Sequence, residues 1–306
     1  MTANQQYKIG SGFGFATTAD EVLAGVDLAG KLAIVTGGYS GLGLATTHAL
    51  SRAGAHVVVP ARHPAEARSL VDVEVDELDL ADQGSVRAFA DRFLGSGRRV
   101  DLMINSAGVM ALPETRVGPG WEGHLATNHL GHFALVNLLR PVLADDVRVV
   151  SVSSSGHQVS DIRWDDLHFT REPYDKWLAY GQSKTANVLF AVRLNALGVK
   201  AFAVHPGRVR TGLSRHVDRA EMVALGWVDA AGNITDPLFK TPEQGAATQV
   251  WAATSPQLDA LGGLYLEDCE VAGLTDSDAM ESGVREYAID PSAAARLWAL
   301  SEELTK

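Results

Sequence analysis

A tyrosine and a lysine stand four residues apart at Tyr180 and Lys184, within a stretch whose composition predicts a helix. Residues at this spacing share one helix face, so the Lys184 ammonium should lie one turn beyond the Tyr180 phenol. A positive charge beside a phenol favours the phenolate, which makes the tyrosine a better proton-transfer group near neutral pH. Alone, this spacing carries little information, because both residue types are common.

A glycine-rich turn near the start of the chain provides the context that the spacing lacks. It follows an apolar strand-like run, residues 31–36, and it opens a predicted helix over residues 42–53. Glycines there allow the backbone to approach a pyrophosphate at a helix amino terminus, where free N–H groups and the helix dipole favour anions. A dinucleotide would carry the hydride, and Tyr180 would handle the proton. The predicted cofactor contacts in this turn are Gly37, Tyr39, Ser40, Gly41, Leu42 and Gly43.

The end of the second strand-like run, residues 56–59, discriminates between NAD and NADP. NAD sites usually place Asp or Glu there, to hold the ribose 2′-hydroxyl. This chain instead continues with Pro60, Ala61 and Arg62 and has no carboxylate at that point. Because Arg62 can pair with a 2′-phosphate that an acid would repel, the sequence favours NADP over NAD. The alternative is an exposed arginine with no ligand.

Two further strand ends carry predicted cofactor contacts. Asp79 and Leu80 follow the third run and are placed to meet the adenine. Asn105, Ala107 and Gly108 close the fourth run, where small residues would let the cofactor lie close to the backbone. A simple strand-ending turn is the alternative for these last three.

Short apolar runs alternate with helical segments along most of the chain. This pattern predicts an α/β protein, a single Rossmann-type domain over residues 1–306 whose doubly wound parallel sheet has about seven strands, with helices on both faces. Residues 1–28 form an arm before the first strand, in which Thr18 and Glu21 predict a short capped helix. The strand-like runs are 31–36, 56–59, 73–78, 100–104, 147–152, 200–204 and 264–266, and the further helical segments are 83–94, 122–139, 178–197 and 243–253.

Two long stretches interrupt the alternation, residues 155–177 and 212–240. Both follow strands, so both should overhang the ligand crevice of a doubly wound fold. Their aromatic content predicts a substrate-site wall and a lid for a hydrophobic substrate. The alternatives are surface helices or, for Trp164, Phe169 and Trp177, the core of a small subdomain.

Composition excludes several classes of function. Against 37 acidic residues stand 26 Lys and Arg, and the formal net charge of −11 argues against nucleic acid and against docking on anionic lipid. The chain has one cysteine, Cys269, and no Cys/His cluster with metal-ligand spacing, so no metal site is predicted and the histidines are interpreted as packing or surface residues. Residues 1–10 lack the apolar run of a signal peptide, and no apolar stretch has the length of a membrane span. The predicted location is the cytoplasm.

The motifs taken together resemble the short-chain dehydrogenase/reductase family over roughly residues 28–270. The resemblance is greatest to the branch with the retinol dehydrogenases and the light-dependent protochlorophyllide reductases, a branch that generally prefers NADP. One departure is Ser106, where the family usually has a second asparagine. The residues that carry the resemblance are Thr36-Gly37-x-x-x-Gly41-x-Gly43, Asn105-x-Ala107-Gly108, Asn128-His129-Leu130-Gly131-His132-Phe133, Val152-Ser153-Ser154-Ser155-Gly156-His157, Tyr180-x-x-Ser183-Lys184-Thr185-Ala186-Asn187 and Pro206-Gly207-x-Val209-x-Thr211.

The resemblance implies a role for each catalytic residue. Tyr180 would donate a proton when a carbonyl is reduced, and Lys184 would lower the tyrosine pKa and hold the nicotinamide ribose. Ser154 would hydrogen-bond the substrate oxygen, and Asn128 would hold a water linked to Lys184. In the segment Pro206, Gly207, Val209 and Thr211, the threonine would meet the nicotinamide carboxamide.

The expected activity is an NADP(H)-dependent interconversion of a hydrophobic ketone or aldehyde and its alcohol. A non-catalytic NADP-binding regulatory or interaction protein is the alternative, disfavoured because Asn128, Ser154, Tyr180 and Lys184 are all present. An epimerase or dehydratase would usually have another glycine spacing and a larger carboxyl-terminal domain. Family members commonly pair through the tyrosine-bearing helix and the helix before it, which predicts a homodimer or homotetramer.

Overall fold

An eight-stranded sheet lies at the centre of the computed structural model, which describes residues 6–277, 279–280 and 282–306. The strands are β1 (Leu32–Val35), β2 (His56–Ala61), β3 (Glu74–Glu77), β4 (Val100–Asn105), β5 (Arg116–Val117), β6 (Trp121–Glu122), β7 (Leu143–Val152), β8 (Ala201–His205), β9 (Arg208–Val209), β10 (Phe239–Lys240), β11 (Leu264–Glu267) and β12 (Glu270–Val271). The helices are α1 (Ala19–Val22), α2 (Gly41–Arg52), α3 (Pro64–Arg68), α4 (Gln83–Gly95), α5 (Gly131–Leu139), α6 (Lys176–Ala196), α7 (Arg219–Ala224), α8 (Pro242–Thr254) and α9 (Pro291–Leu304).

The central sheet has the order β12-β11-β8-β7-β4-β1-β2-β3. All neighbouring pairs are parallel except β11 and β12, which form an antiparallel hairpin. All seven predicted runs are strands of this sheet, and β12, only two residues long, is the eighth. The strand order reverses between β1 and β4, so the crevice at their carboxyl ends is where a doubly wound fold binds its ligand.

Alternate residues of the buried strands feed two separate cores. Ala33 and Val35 of β1 pack with α1, α2 and α8 on one face of the sheet. Ile34, between them, packs with α4, α5 and α6 on the other face. This alternation follows from the period of two along a strand, and it gives the two helical layers that the sequence predicts.

The segment predicted as one helix, residues 122–139, is composed of three pieces. Glu122 belongs to β6, and its carboxylate accepts the backbone N–H groups of His124 and Leu125 at 2.9 and 2.8 Å. A π-helical segment, Leu125–Leu130, follows, and α5 begins only at Gly131. The buried carboxylate thus takes the place of a helix N-cap at the first residue of the predicted helix.

The amino-terminal arm runs along the edge of the sheet and then over α8. The Gln6 side-chain amide pairs with the backbone of Tyr265, and the Glu270 carboxylate accepts three consecutive N–H groups of residues 9–11. The capping box predicted for the short helix is present, with Thr18 and Glu21 bonded reciprocally. Residues 1–5 of the predicted arm lie outside the described residues.

Candidate active site

The glycine turn between β1 and α2 forms a close-packed cradle. Gly37 has a φ of +66°, and a Cβ at Gly43 would lie 2.2 Å from the Gly37 carbonyl oxygen. Ser40 is the N-cap of α2, yet its side chain forms no capping hydrogen bond with the described residues. The first N–H groups of α2 are therefore available to an anion, as the dinucleotide prediction requires.

Leu42, Tyr39 and Gly41 of the same turn each contact a different part of the protein. Leu42 lines the large cavity described below, whereas Tyr39 is half-buried and packs against the core beside α2. A Cβ at Gly41 would lie 3.1 Å from the Thr211 side chain, so the loop after β8 closes against the turn. The structure thus brings Gly41 and Thr211, 170 residues apart in sequence, to one crevice.

Arg62 directly follows β2, and its side chain is exposed. Within the described part of the chain it forms no hydrogen bond and no ion pair, so its guanidinium is available to a ligand. Asp79 lies at the end of the neighbouring strand and accepts the Ala81 N–H at 2.9 Å, while the Leu80 side chain is buried. These three positions lie on one side of the crevice, where the sequence places the adenosine half of the cofactor.

The loop after β4 contains polar atoms that no described residue satisfies. Asn105 donates to the Ser151 hydroxyl at 3.3 Å, but its carbonyl oxygen and the Ser106 hydroxyl have no partner in the described chain. The N–H groups of Ser106 and Ala107 both donate to the Thr36 hydroxyl at 3.0 Å. Buried polar groups are normally paired, so these two oxygens fit a site that a polar ligand completes.

Three parts of the fold bring the four predicted catalytic side chains together. Tyr180 and Lys184 project from α6, Ser154 follows β7, and Asn128 lies in the π-helical segment. A Cβ at Gly108 would lie 3.1 Å from Asn128 Oδ1 and 3.6 Å from Lys184 Nζ, so this glycine of the loop after β4 faces both side chains. A larger residue at this position would crowd the space between the loop and Asn128.

Asn128 is held rigidly by three hydrogen bonds. Its Oδ1 accepts the Val109 N–H at 2.8 Å, and its Nδ2 donates to the Val109 carbonyl at 3.0 Å and to the Ser183 hydroxyl at 2.9 Å. The π-helical turn that carries it is a geometry often found at functional sites. The side chain is fully buried and fixes the loop after β4 against α6.

Burial shifts the pKa values of both Tyr180 and Lys184. It raises the pKa of Tyr180 to about 12, although a hydrogen bond from the Ser154 hydroxyl lowers it in part. Burial also lowers the pKa of Lys184 to about 8. The lowering of the tyrosine pKa by Lys184 is not found in this geometry: Nζ lies 5.6 Å from the centroid of the Tyr180 ring and donates to the Val152 carbonyl at 3.0 Å.

His132 has a positioning role that the sequence analysis missed. Its Nδ1 donates to the Asn128 carbonyl at 3.0 Å, so Nε2 accepts from the Thr36 hydroxyl at 2.9 Å. Burial lowers its pKa to about 4, and the ring is therefore neutral near pH 7. His132 links the end of β1 to the segment of Asn128. The spacing of four between Asn128 and His132 is the signal that could have indicated it.

A cavity of about 540 Å³ opens beside Tyr180 and Ser154. Its floor includes the loop after β8, with Pro206, Gly207 and Val209. Most of its wall is apolar. The apolar side chains that line it include Leu42, Met110, Val152, Val159, Trp177, Val209, Leu213, Met222, Leu225, Trp227, Val228, Ile234, Phe239 and Met280.

Residues 212–240 supply most of that apolar wall. They fold as a 3-10 turn (Gly212–His216), α7 and an irregular segment that ends in β10. The Trp227 ring lies edge-on to Trp177 of α6 at 6.2 Å and to Phe239 at 6.3 Å. The Glu221 carboxylate binds Lys176 Nζ at 2.6 Å and Trp177 Nε1 at 2.9 Å, and so fastens this segment to the catalytic helix.

The aromatic residues of the other insert, 155–177, mostly point elsewhere. Trp177 lines the cavity, but Phe169 and Tyr174 pack against each other at 5.4 Å, and Trp164 lies under Arg296 of α9. The Asp166 carboxylate accepts three backbone N–H groups of residues 170–172, which folds this insert back on itself. The subdomain interpretation therefore fits Trp164 and Phe169, and the substrate-wall interpretation fits Trp177 alone.

The sequence model of the family described as short chain dehydrogenase matches residues 31–222. The chain belongs to this family. Members bind a nicotinamide cofactor, and the chain is accordingly an NAD(P)-dependent oxidoreductase.

Relatives with most of the same length support the assignment. A protein of Streptomyces lividans described as a probable oxidoreductase is 47% identical over 290 residues, which cover 89% of this chain and 97% of the relative. Human retinol dehydrogenase 12 is 37% identical over 295 residues, covering 91% of this chain and 87% of its own length. An uncharacterized protein from Mycobacterium paratuberculosis has a solved structure that is 36% identical, with a TM-score of 0.71 and coverage of 95% and 97%. The resemblance to the retinol dehydrogenase-like branch is thereby confirmed.

The described residues show neither a metal site nor a membrane-spanning helix. No group of three or more His, Cys, Asp or Glu in that part of the chain could hold a metal ion. None of the helices described is both long enough and apolar enough to cross a bilayer. The cytoplasmic location stays a prediction.

Proposed function

We propose that the chain is an NADP(H)-dependent oxidoreductase that interconverts a hydrophobic ketone or aldehyde and its alcohol. The observation that carries the proposal is that Tyr180 and Ser154 lie side by side in the lining of one largely apolar cavity: a Cβ at Gly156 would lie 2.8 Å from Tyr180 Cε1 and 3.3 Å from Ser154 Oγ. A phenol and a hydroxyl that meet at one point can both bind a single carbonyl oxygen. The cavity volume, about 540 Å³, lies within the range of small-molecule sites.

The proposed chemistry divides between the cofactor and the protein. Bound NADP(H) supplies the hydride for reduction or accepts it in the reverse direction. In reduction, the Tyr180 hydroxyl gives its proton to the carbonyl oxygen as negative charge grows there, and the Ser154 hydroxyl stabilises that charge. The raised pKa of Tyr180 keeps the phenol protonated near pH 7, as a proton donor must be. In oxidation the same oxygen accepts the alcohol proton.

The preference for NADP rests on Arg62. It stands at the strand end where NAD-binding relatives of this fold place a carboxylate, and it is exposed and unpaired among the described residues. Arginine binds phosphate through two parallel N–H bonds. The glycine cradle and the unsatisfied oxygens of Asn105 and Ser106 fit a dinucleotide in the same crevice.

The preference for an apolar substrate rests on the wall formed by residues 212–240. Trp177, Met222, Leu225 and Trp227 face the cavity, and transfer of apolar surface from water into such a wall favours binding. The name of the human relative, retinol dehydrogenase 12, supports an apolar alcohol or aldehyde as the substrate class. A non-catalytic NADP-binding protein is the second candidate, and the close grouping of Asn128, Ser154, Tyr180 and Lys184 argues against it.

The proposal is tested by consumption of NADPH and NADH, side by side, with aromatic and long-chain ketones and aldehydes. We expect turnover with NADPH that falls about a hundredfold to ten-thousandfold in Tyr180→Phe, the contribution usual for general acid catalysis. Turnover with NADH alone would overturn the choice of cofactor and keep the chemistry. Tight NADPH binding with no turnover on any substrate would favour the non-catalytic candidate.

A further inference from the structure

The helix that carries Tyr180, α6, has no solvent-exposed face over most of its length. Every residue of α6 from Ala179 to Val192 is buried, although a helix on the face of a sheet normally exposes the side opposite its core. The same holds for α8, in which every residue from Gly245 to Ala253 is buried. The chain itself therefore covers both helices all round.

The outer side of α6 is covered by the carboxyl-terminal helix, α9. Ala294 and Leu297 of α9 share one apolar cluster with Ala186, Leu189 and Val192 of α6. These α6 residues are at most 5% exposed. Removal of α9 would therefore uncover an apolar stripe along the catalytic helix.

The same helix also covers α5. The Trp298 indole stacks on Phe190 of α6 at 5.8 Å and lies edge-on to Phe133 of α5 at 4.9 Å. Beside them, the Ser301 hydroxyl hydrogen-bonds Nε2 of the buried His129 at 2.8 Å. One terminal helix thus bridges α5, α6 and the segment that holds Asn128.

The amino-terminal arm covers the opposite layer in the same way. Ala19 and Val22 of α1 belong to the apolar cluster of Ala246, Ala247 and Val250 of α8. Side chains of the main domain hold the arm in place: Gln244 Nε2 donates to the Ala16 carbonyl at 3.2 Å, and Gln257 Nε2 donates to the Ser11 carbonyl at 3.0 Å.

We propose that the two terminal segments take the place of partner subunits, so that the protein is a monomer in solution. Stable interfaces bury about 800 Å² on each partner, around a desolvated apolar centre. Among the described residues, the large apolar side chains that are exposed include none from α5, α6, α8 or α9. The pairing through α6 and α5 that the family resemblance predicts requires α9 to leave. A second copy of this chain could pack on the apolar faces of α5 and α6 only after α9 had left them.

The mass of the full-length chain in solution tests the proposal and does not depend on any activity. Sedimentation velocity from dilute to concentrated protein should give 32.5 kDa throughout. A mass two or four times as large would overturn the proposal.

A matched pair of variants tests the role of α9. Leu297→Asp places a charge on its buried side, and Ala299→Asp places the same charge on its exposed side. We expect a concentration-dependent doubling of mass for the first and 32.5 kDa for the second. Circular dichroism checks folding, and Trp298→Ala, which removes packing without adding charge, serves if Leu297→Asp unfolds. A folded variant of this kind that remains monomeric would contradict the shielding role of α9.

Discussion

At the scale of single residues, the Ser154 hydroxyl serves two purposes at once. It accepts the Gly156 N–H at 3.0 Å and so begins the 3-10 turn Ser155–Val159, and it lowers in part the pKa of the neighbouring Tyr180. Its position is therefore fixed before any substrate binds. Such preorganised donors stabilise charge in a transition state without a reorganisation cost.

Replacement of Ser154 by alanine should reduce kcat about a hundredfold to a thousandfold, the usual effect of losing one such donor. The pKa of Tyr180 should also rise, because the bond that lowers it is lost. The kinetic measurement is kcat against pH. Ser155→Ala, at the adjacent serine of the same cavity, is the control, and an equal loss in both variants would exclude a special role for Ser154.

Replacement of Arg62 by alanine should lower the preference for NADPH over NADH about tenfold to a hundredfold, because hydrogen bonds to charged groups contribute about 1.5–3 kcal/mol. The ratio of kcat/KM for the two cofactors measures it. Arg52→Ala removes another exposed arginine, which pairs with Asp20 at the far end of α2, and should leave the ratio unchanged. An unchanged ratio in Arg62→Ala would remove the basis for the choice of NADP.

At this scale the sequence predicted the four polar side chains of the candidate site, because their residue types and spacing are local signals. They are Asn128, Ser154, Tyr180 and Lys184. The sequence could not show that the Lys184 ammonium donates to the Val152 carbonyl, or that burial rather than Lys184 governs the pKa of Tyr180. It also did not show the contact between His132 and Thr36, 96 residues apart. Hydrogen bonds of that range depend on the packing of whole elements.

At the scale of elements, the segment 212–240 is fastened near its carboxyl end by the pairing of β10 with β9 and by the ion pairs of Asp236 with Arg208 and of Lys240 with Asp268. Glu221 on α7 fastens its middle, since its two carboxylate oxygens bind Lys176 and Trp177 at the start of α6. A segment fixed in this way can open and close over a cavity while α6 stays in place.

Replacement of Glu221 by alanine should therefore raise KM for apolar substrates several-fold and leave the Kd for the cofactor unchanged. The indole of Trp177 would lose its hydrogen-bond partner, and the wall of the cavity would become less ordered. Steady-state kinetics and cofactor fluorescence titration separate the two effects. Glu243→Ala, at an exposed glutamate on α8, is the matched control. A weaker affinity of Glu221→Ala for the cofactor would contradict the prediction, because it would mean that the whole crevice had changed.

Strand periodicity predicted the sheet well, since all seven apolar runs are strands, six of them within two residues of the predicted bounds, while β7 begins four residues earlier than predicted. Elements defined by tertiary contacts were missed. The break at Glu122 depends on a carboxylate buried beside His124, and α9 depends on the apolar faces that it covers. Neither has a local signal as strong as a buried strand.

At the scale of the whole molecule, the protein buries several neutral histidines. Burial lowers the pKa of His132 and of His157 to about 4, and that of His129 and of His205 to about 3. Each belongs to a different part of the core or the crevice, so their protonation concerns the fold as a unit.

These histidines predict a loss of stability in mild acid. Below the unfolded-state pKa of about 6.5, the unfolded chain binds protons that the folded chain does not, so the free energy of unfolding decreases as the pH falls toward 4. Above about pH 6.5 the contribution of these neutral histidines to the free energy of unfolding is fully present. Urea midpoints at about pH 7 and about pH 5 measure the change. His157→Gln should flatten this dependence, and equal midpoints for the wild type would contradict the prediction.

The single cysteine gives this molecule an experimental use. Cys269 is fully buried, and burial raises the pKa of its thiol to about 12, so it should not react with maleimide dyes in the folded protein. In the variant Ala231→Cys, which changes an exposed position within the segment 212–240, the new cysteine would then be the one that is labelled, and Cys269 could stay in place. A change in the emission of this dye when cofactor or an apolar substrate binds would report movement of the segment 212–240 in real time, one molecule at a time.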